Sequence, residues 1–175
     1  MTPKRVVITG LGMVTSLGND VPTNWQNLLQ GKSGAGEITH FDCTKFKTQF
    51  ACEVKDLELT GLFDSKEQRR YDRYIHLAFK SAEEAIQDAQ IDMNLEDKLR
   101  CGVIYGSGMG GIKTLDVNIG GFGAGDGTPR YSPFFIPMII TNMAAGMLAI
   151  RYGFKGVNYA TTSACASSSH AIANA

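Results

Sequence analysis

Apolar residues fall into two rhythms along the 175-residue chain, and their order predicts the architecture. Val6-Val7-Ile8, between Arg5 and Gly10, is a short unbroken apolar run, the pattern of a strand buried on both faces in a covered, largely parallel sheet. Pro22 is placed to open a helix, Trp25, Leu28 and Leu29 follow at helical spacing, and Gly31 is set to end it. From 34 to 61 the pattern is irregular, with one short strand expected around Phe50-Ala51-Cys52-Glu53-Val54. Ser65-Lys66-Glu67-Gln68 has the form of a capping box and predicts a long helix, with Tyr71, Tyr74, Ile75, Ala78, Ala82, Ala85, Ile86 and Ala89 as its buried stripe. Arg100-Cys101-Gly102-Val103-Ile104-Tyr105 predicts a second strand, running into Gly106-Ser107-Gly108-Met109-Gly110-Gly111. Ser132-Pro133-Phe134-Phe135-Ile136-Pro137 then breaks the chain before an apolar helix over 138–150, expected to be buried all round and closed by Gly153. Val157, Tyr159 and Thr161 alternate as in a third strand, and the small residues from Ala166 onward suit a last helix. Strand and helix alternate in an α/β order, and no internal repeat or low-complexity linker divides the chain.

Composition adds mostly exclusions. With 43% hydrophobic and 19% charged residues the chain is an ordinary globular one. Seventeen Lys and Arg balance seventeen Asp and Glu, so overall charge argues for neither nucleic acid nor membrane, and any charge recognition must be local. Met1-Thr2-Pro3-Lys4-Arg5 leads straight into the first apolar run and lacks the long apolar core of a signal peptide. The most apolar stretch, 136–150, is too short for a membrane span and carries Thr141 and Asn142. A cytoplasmic protein is expected. The four cysteines, at 43, 52, 101 and 165, form no Cys-x-x-Cys, and a reducing compartment argues against disulfides. His40, Cys43 and Cys52 lack a fourth ligand at a sensible spacing, so no metal is expected.

The residue with the clearest chemistry is Cys165, at the turn between the last strand and the last helix. A helix N-terminus offers unpaired N–H groups and the positive end of a dipole, both of which favour the nucleophilic thiolate. The polar Thr161-Thr162-Ser163 approach and the small residues of the turn favour a nucleophile over a buried structural cysteine. His170, five residues on, falls on a different side of that helix and is not assigned as its base.

Three glycine patterns compete for a nucleotide. Thr9-Gly10-Leu11-Gly12 lacks the later glycines of a dehydrogenase and predicts a tight turn after the first strand. Gly31-Lys32-Ser33 follows a helix and lacks the earlier glycine of a P-loop, since position 26 is Gln. Gly106 to Gly111 is formally G-x-G-x-x-G, but a dinucleotide fingerprint needs a helix immediately behind it and an acidic residue at the end of the next strand. Neither is expected here: no helix is read directly behind Gly111, and Asp126 lies in Gly120-Gly121-Phe122-Gly123-Ala124-Gly125-Asp126-Gly127, which no strand tolerates, so these glycines are expected to let backbone come close to an acyl chain or a neighbouring subunit.

Lys66, Arg69, Arg70 and Arg73 are spaced to share a solvent-facing side of the predicted long helix. Cations at a helix N-terminus oppose the macrodipole, and Glu67 and Asp72 relieve this only in part. A solvated face and a surface for an acidic partner both fit the residues.

Thr162-Ser163-Ala164-Cys165-Ala166-Ser167-Ser168-Ser169-His170-Ala171 resembles the nucleophile segment of the β-ketoacyl-acyl-carrier-protein synthases. Arg5-Val6-Val7-Ile8-Thr9-Gly10-Leu11-Gly12 resembles that family's first strand, and Ser132-Pro133-Phe134-Phe135-Ile136-Pro137 another of its signatures. The likeness runs from end to end and is closest to the type II elongating condensing enzymes of bacteria. It implies a thiolase-like layered α/β fold, a mixed or parallel sheet covered by helices, of which 1–175 would be the N-terminal half with the C-terminal half absent. By resemblance Cys165 is the nucleophile, Met109 gates an acyl pocket with Phe134 and Phe135 near it or near a dimer partner, and Lys66, Arg69, Arg70, Arg73 and Arg130 receive acyl-carrier protein. The implied reaction is a decarboxylative condensation of malonyl-carrier protein with an acyl group on Cys165, in fatty-acid elongation, by a cytoplasmic homodimer without cofactor, metal, nucleic acid or membrane. The family's catalytic histidines and lysine belong to the other half, so the segment alone is expected to be inactive, and none is transferred to His40, His76 or His170. A polyketide-type ketosynthase, an NAD(P)-binding oxidoreductase fragment and a non-catalytic half completed by a second chain are the rival readings. The presence of Cys165 favours an enzyme over the last of these.

Overall fold

The computed structural model describes residues 5–175, whose contacts fall into two compact units, one of residues up to Leu59 with Lys80–Ile91 and one of Thr60–Phe79 with Asp92–Ala175.

In the first unit, α1 (Val21–Leu29) starts where the Asp20 carboxylate accepts the Thr23 N–H at 2.6 Å, with Pro22 in its first turn. It stops at Gly31, whose φ of +65° only glycine adopts without strain. Its one buried residue is Asn24, whose side-chain amide donates to the carbonyls of Gly18 and Asp20. Trp25, Leu28 and Leu29 stand exposed. Two short antiparallel strands follow, β1 (Gly36–Glu37) and β2 (Phe50–Ala51), so the expected strand is present but limited to its first two residues.

The first expected strand does not form. Among the described residues Val6-Val7-Ile8 has no ladder partner, and all three side chains are exposed. The chain behind it runs extended along residues 80–89 instead. Leu11 N–H donates to Asp88 at 2.8 Å, and the N–H groups of Met13 and Val21 donate to the two oxygens of Glu84 at 2.9 and 2.7 Å. Gly10 and Gly12 are therefore not a tight turn. A Cβ on Gly10 would lie 2.2 Å from the Ala85 carbonyl oxygen and one on Gly12 1.8 Å from that of Ser81, so glycine is needed for backbone approach.

In the second unit the predicted long helix is two. α2 (Ser65–Gln68) is one turn, capped by Asp64 rather than Ser65: the Asp64 carboxylate accepts from Lys66 and Glu67 N–H, and Glu67 reaches back to the Asp64 N–H. α3 (Arg73–Asp88) begins after Asp72, a buried carboxylate that accepts Tyr74 N–H at 3.3 Å and Thr114 N–H and Oγ1–H at 3.0 and 2.5 Å. One side chain thus starts α3 and holds the first turn of a distant helix, which a continuous helix through Asp72 would not allow. Tyr71 lies outside α3 but still packs on Phe63 at 5.3 Å and stacks on Phe79 at 6.5 Å. Ile75, Ala78 and Phe79 form the buried face of this part of α3, with Phe79 additional to the predicted set. Phe63 packs on Phe79 at 4.8 Å, and the Arg151 guanidinium covers both rings while donating to the Leu62 carbonyl at 2.7 Å.

β3 (Val103–Gly106) and β4 (Asn158–Thr161) pair in parallel, Val103 opposite Asn158 and Gly106 opposite Thr161. Between them lie α4 (Ile112–Ala124), α5 (Phe135–Ile139) and α6 (Met143–Tyr152), and α7 (Ser167–Asn174) follows β4. α6 and α7 pack on the strand pair. The expected single helix over 138–150 is broken at Ile140, because the Ile139 carbonyl is taken by Gly111 N–H at 3.1 Å and the Ile140 carbonyl by the Tyr74 hydroxyl at 2.5 Å. Burial raises the Tyr74 phenol well above its ordinary pKa, which keeps it a donor there. α6 buries Ala144, Ala145 and Leu148 but exposes Ile150, so it is not buried all round, and Gly153 closes it at φ +71° as predicted. Nothing lies within 4 Å of a Cβ on Gly146. Among the described residues no helix is long and apolar enough to cross a membrane.

Candidate active site

β4 ends at Thr161, and the chain reaches α7 through Thr162, Ser163 and a single 3₁₀ turn, Ala164–Ala166. Cys165 stands at the middle of that turn with an exposed side chain. Ala164 has φ +49°, a left-handed conformation costing an alanine about 1–2 kcal/mol. Ser167, buried at 3% exposure, holds it: its hydroxyl donates to the Ala164 carbonyl at 2.7 Å and accepts Ser163 N–H at 2.9 Å. Thr161 Oγ1–H donates to the Ser167 carbonyl at 2.7 Å, which ties the start of α7 to the end of β4. The Cys165 N–H has no acceptor among the described residues, so thiol and free amide share one turn. His170 lies back over the turn, with Nδ1 2.6 Å from Ser163 Oγ.

The glycine run after β3 packs against this turn. A Cβ on Gly106 would come within 2.6 Å of Ser167 and Ser168 backbone, and one on Gly108 would lie 3.5 Å from the Ala164 carbonyl oxygen. On its other side the run meets α5, where a Cβ on Gly111 would lie 2.0 Å from the Met138 carbonyl oxygen and Gly110 takes φ +69°. Contrary to the sequence expectation, a helix does follow the glycines immediately, and α4 continues through Gly120, Gly121 and Gly123. The dinucleotide reading fails for another reason. The N–H groups of Gly110, Gly111, Ile112 and Thr114 are bonded to Ser107 Oγ and to the carbonyls of Ile139 and Gly110 and the Asp72 carboxylate. The protein's own carboxylate occupies the helix start that a pyrophosphate would need.

Met109 projects from this run, 69% exposed, on a cleft of about 490 Å³ lined otherwise by Gly111, Ile112, Leu115, Ile139, Ile140, Thr141 and Asn142. Thr141 also joins the cleft to the approach to Cys165, since Thr162 Oγ1 donates to its hydroxyl at 3.3 Å. Phe134 and Phe135 are not among the lining residues. The Arg70 guanidinium lies 4.7 Å over the Phe134 ring, and Phe135 packs on Tyr131 at 5.1 Å.

The chain matches the model of the family described as β-ketoacyl synthase, N-terminal domain, over residues 3–175. It belongs to the β-ketoacyl synthase family. It is 44% identical over 172 residues to a 3-oxoacyl-[acyl-carrier-protein] synthase 2 of Synechocystis, covering 98% of this chain and 41% of that protein. It is 43% identical over 175 residues to a namesake from Coxiella burnetii, covering all of this chain and 42% of that one. The chain thus spans about two fifths of the length of these relatives. A β-ketoacyl synthase structure from Burkholderia phymatum superposes with a TM-score of 0.78 at 26% identity, over 99% of this chain and 43% of that one. A type II polyketide acyl-carrier protein in complex with its ketosynthase and a bound hexaketide matches with a TM-score of 0.76 at 22% identity, over 99% and 46% of the two chains, and shows the fold alone. The thiolase-like α/β fold expected from sequence is the one found.

The basic residues of this synthase segment do not lie on one helix. Lys66 is in α2, Arg69 caps its C-terminus, Arg70 lies in the break and Arg73 opens α3. Lys66 and Arg69 are exposed and Arg70 is half-buried on Phe134, while Arg130 pairs with Asp126 at 3.1 Å. The cations are therefore not crowded at one helix start, and they form instead a local basic surface around the α2–α3 break. The sequence reading also missed Ser163, Ser167 and Asp72. The Ser-rich run around Cys165 was a visible sign of the first two, whereas nothing near Asp72 marks its partner Thr114, 42 positions away.

Proposed function

We propose that the full-length protein is a 3-oxoacyl-acyl-carrier-protein synthase of fatty-acid elongation, with Cys165 as its acyl-accepting nucleophile. The observation that carries this reading is the exposed thiol beside a free N–H on a strained turn, next to a cleft lined mainly by apolar residues. The Cys165 thiolate attacks the carrier thioester, a new S–C bond forms and the carrier thiol leaves. Malonyl-carrier protein then loses carbon dioxide, and the resulting enolate attacks the Cys165 thioester. A carbon–carbon bond forms as the S–C bond to Cys165 breaks, which releases the β-ketoacyl product and restores the thiol. Each attack on a carbonyl develops an oxyanion, and one preorganised donor such as the Cys165 N–H contributes on the order of 3 kcal/mol. The groups that assist decarboxylation come from residues outside 1–175, and the substrates arrive on a phosphopantetheine arm with no further cofactor.

Met109 gates the acyl cleft, and its flexible thioether suits a chain that enters and leaves. Phe134 and Phe135 belong to the continuation of that cleft or to contact with a second copy in a homodimer. Acyl-carrier protein docks on Lys66, Arg69 and Arg70, with Arg73 and Arg130 as outer members, in a cytoplasmic enzyme. The names of the relatives at 43–44% identity, 3-oxoacyl-[acyl-carrier-protein] synthase 2, support this choice of partner. Fatty-acid elongation is preferred to polyketide synthesis because the 42–44% identities are to 3-oxoacyl-[acyl-carrier-protein] synthases 2, against 22% to the type II polyketide ketosynthase. Intact-mass analysis of the full-length protein with acyl-carrier protein tests the nucleophile. Wild type should gain one acyl group, and Cys165→Ser should form no thioester; a thioester retained in that variant would refute the assignment.

A further inference from the structure

We infer that His170 is a positioning residue for Cys165, acting through Ser163, a role that rests on Cys165 being the reactive thiol. The turn that presents Cys165 is held from two sides. From within, Ser167 bonds the Ala164 carbonyl and the Ser163 N–H. From above, His170 Nδ1 meets Ser163 Oγ at 2.6 Å. Ala164, between Ser163 and Cys165, has φ +49°, so the turn relaxes toward an ordinary conformation unless both flanks are fixed. Ser167 fixes the backbone of Ser163, and His170 fixes its side chain. Ser163 is therefore the residue on which both restraints meet, one position before the strained alanine and two before the thiol. His170 is exposed and one helical turn into α7, so its imidazole contributes little to core packing. Among the described residues its hydrogen bond is to Ser163 and none joins it to Cys165, so it is placed as a brace rather than as a base. Its effect is on how often the turn holds the thiol and the Cys165 N–H in their reactive arrangement.

The test uses the full-length protein and the second-order rate of Cys165 alkylation by iodoacetamide, read by mass at that site, alongside the melting temperature. His170→Ala should slow alkylation at least about threefold with little change in melting, since an exposed hydrogen bond contributes modestly to stability. His170→Asn, which can place a polar atom near the Nδ1 position, should restore most of the rate. Ser163→Ala should slow it by the same factor, and the double variant should be no slower than either single one, because the two residues act as a unit. Alkylation of His170→Ala at the wild-type rate, or multiplying effects in the double variant, would overturn the inference. If His170→Ala does not fold, Ser163→Ala and His170→Asn decide it alone: a slowed Ser163→Ala with a near-normal His170→Asn supports the brace, and any other pair of rates refutes it. The reagent needs no carrier protein, so a protein that alkylates in a His170-dependent way but accepts no acyl group would sink the synthase reading and leave the brace standing.

Discussion

Replacing Gly106 by alanine should damage the fold and the nucleophile together. Gly106 is the last residue of β3, paired with Thr161 at the end of β4, and lies beneath the start of α7. An added Cβ would meet the Ser167 carbonyl carbon and the Ser168 nitrogen, each at 2.6 Å. Ordinary carbon contacts lie near 3.5–4.0 Å, so about 1 Å must open between strand and helix. The opposing atoms are backbone, and no rotamer change relieves them. Overpacking of this kind costs about 1–3 kcal/mol. In a domain of about 150–250 residues each kcal/mol lowers Tm by about 2–4 °C, so a drop of several degrees is expected. The displaced residues include Ser167, whose hydroxyl holds the turn of Cys165, so iodoacetamide alkylation at Cys165 should slow as well. Gly121→Ala is the matched control. It makes the same chemical change inside α4, with nothing within 4 Å of the new methyl, and should leave Tm unchanged or raise it through helix propensity worth up to about 1 kcal/mol. If Gly106→Ala melted with wild type and alkylated at the same rate, α7 would not pack on β3 at this distance.

Met109→Phe should exclude long acyl chains before short ones, because it narrows a cleft walled by Ile112, Leu115 and Ile139; steady-state kinetics over a ladder of acyl-carrier substrates checks this, and equal loss at every length would count against gating. Lys66→Glu with Arg69→Glu should slow association with acyl-carrier protein in modest steps, about 0.2–1 kcal/mol per exposed pair, and weaken its salt dependence. Stopped-flow binding reads that effect, and an unchanged low-salt rate would make this a solvated surface. Arg70 is a poorer probe, since its guanidinium also covers Phe134. Burial holds the His76 imidazole below its ordinary value, against the opposing pull of the Gln68 carbonyl and Asp72. His76 thus takes up a proton less readily in the fold than in the unfolded chain, which does so from about pH 6.5 downward, so its share of stability is present above that pH and lost as the pH falls. His76→Leu should flatten the loss of denaturation midpoint between about pH 7 and 5, and a slope identical to wild type would remove His76 from the account.

The parts of the fold legible in sequence were those fixed within a few residues. β3, β4 and the strand–Cys165–helix order follow from local patterns, and so do the positive-φ stops at Gly31 and Gly153. The errors fall where a distant partner decides. α2 and α3 separate because Asp72 is bonded to Thr114, and α5 and α6 separate because Gly111 and Tyr74 take the carbonyls of Ile139 and Ile140. Val6-Val7-Ile8 has the composition of a buried strand, but a strand exists only with a neighbour, and none of the described residues supplies one.

The glycine run shows most clearly what a pattern can and cannot carry. The formal G-x-G-x-x-G from Gly106 to Gly111 sits between a strand and a helix, which is the arrangement a dinucleotide site requires. Glycine is needed here for the same physical reason as there, close approach to backbone by something that leaves no room for a Cβ. In a dinucleotide site the approaching group is a pyrophosphate. Here it is the protein itself, with Ser167 and Ser168 on one side and Met138 and Ile139 on the other, and Asp72 supplies the negative charge that the start of α4 attracts. The spacing records that something comes close, and only the identity of the neighbour separates a cofactor cradle from the floor beneath Cys165.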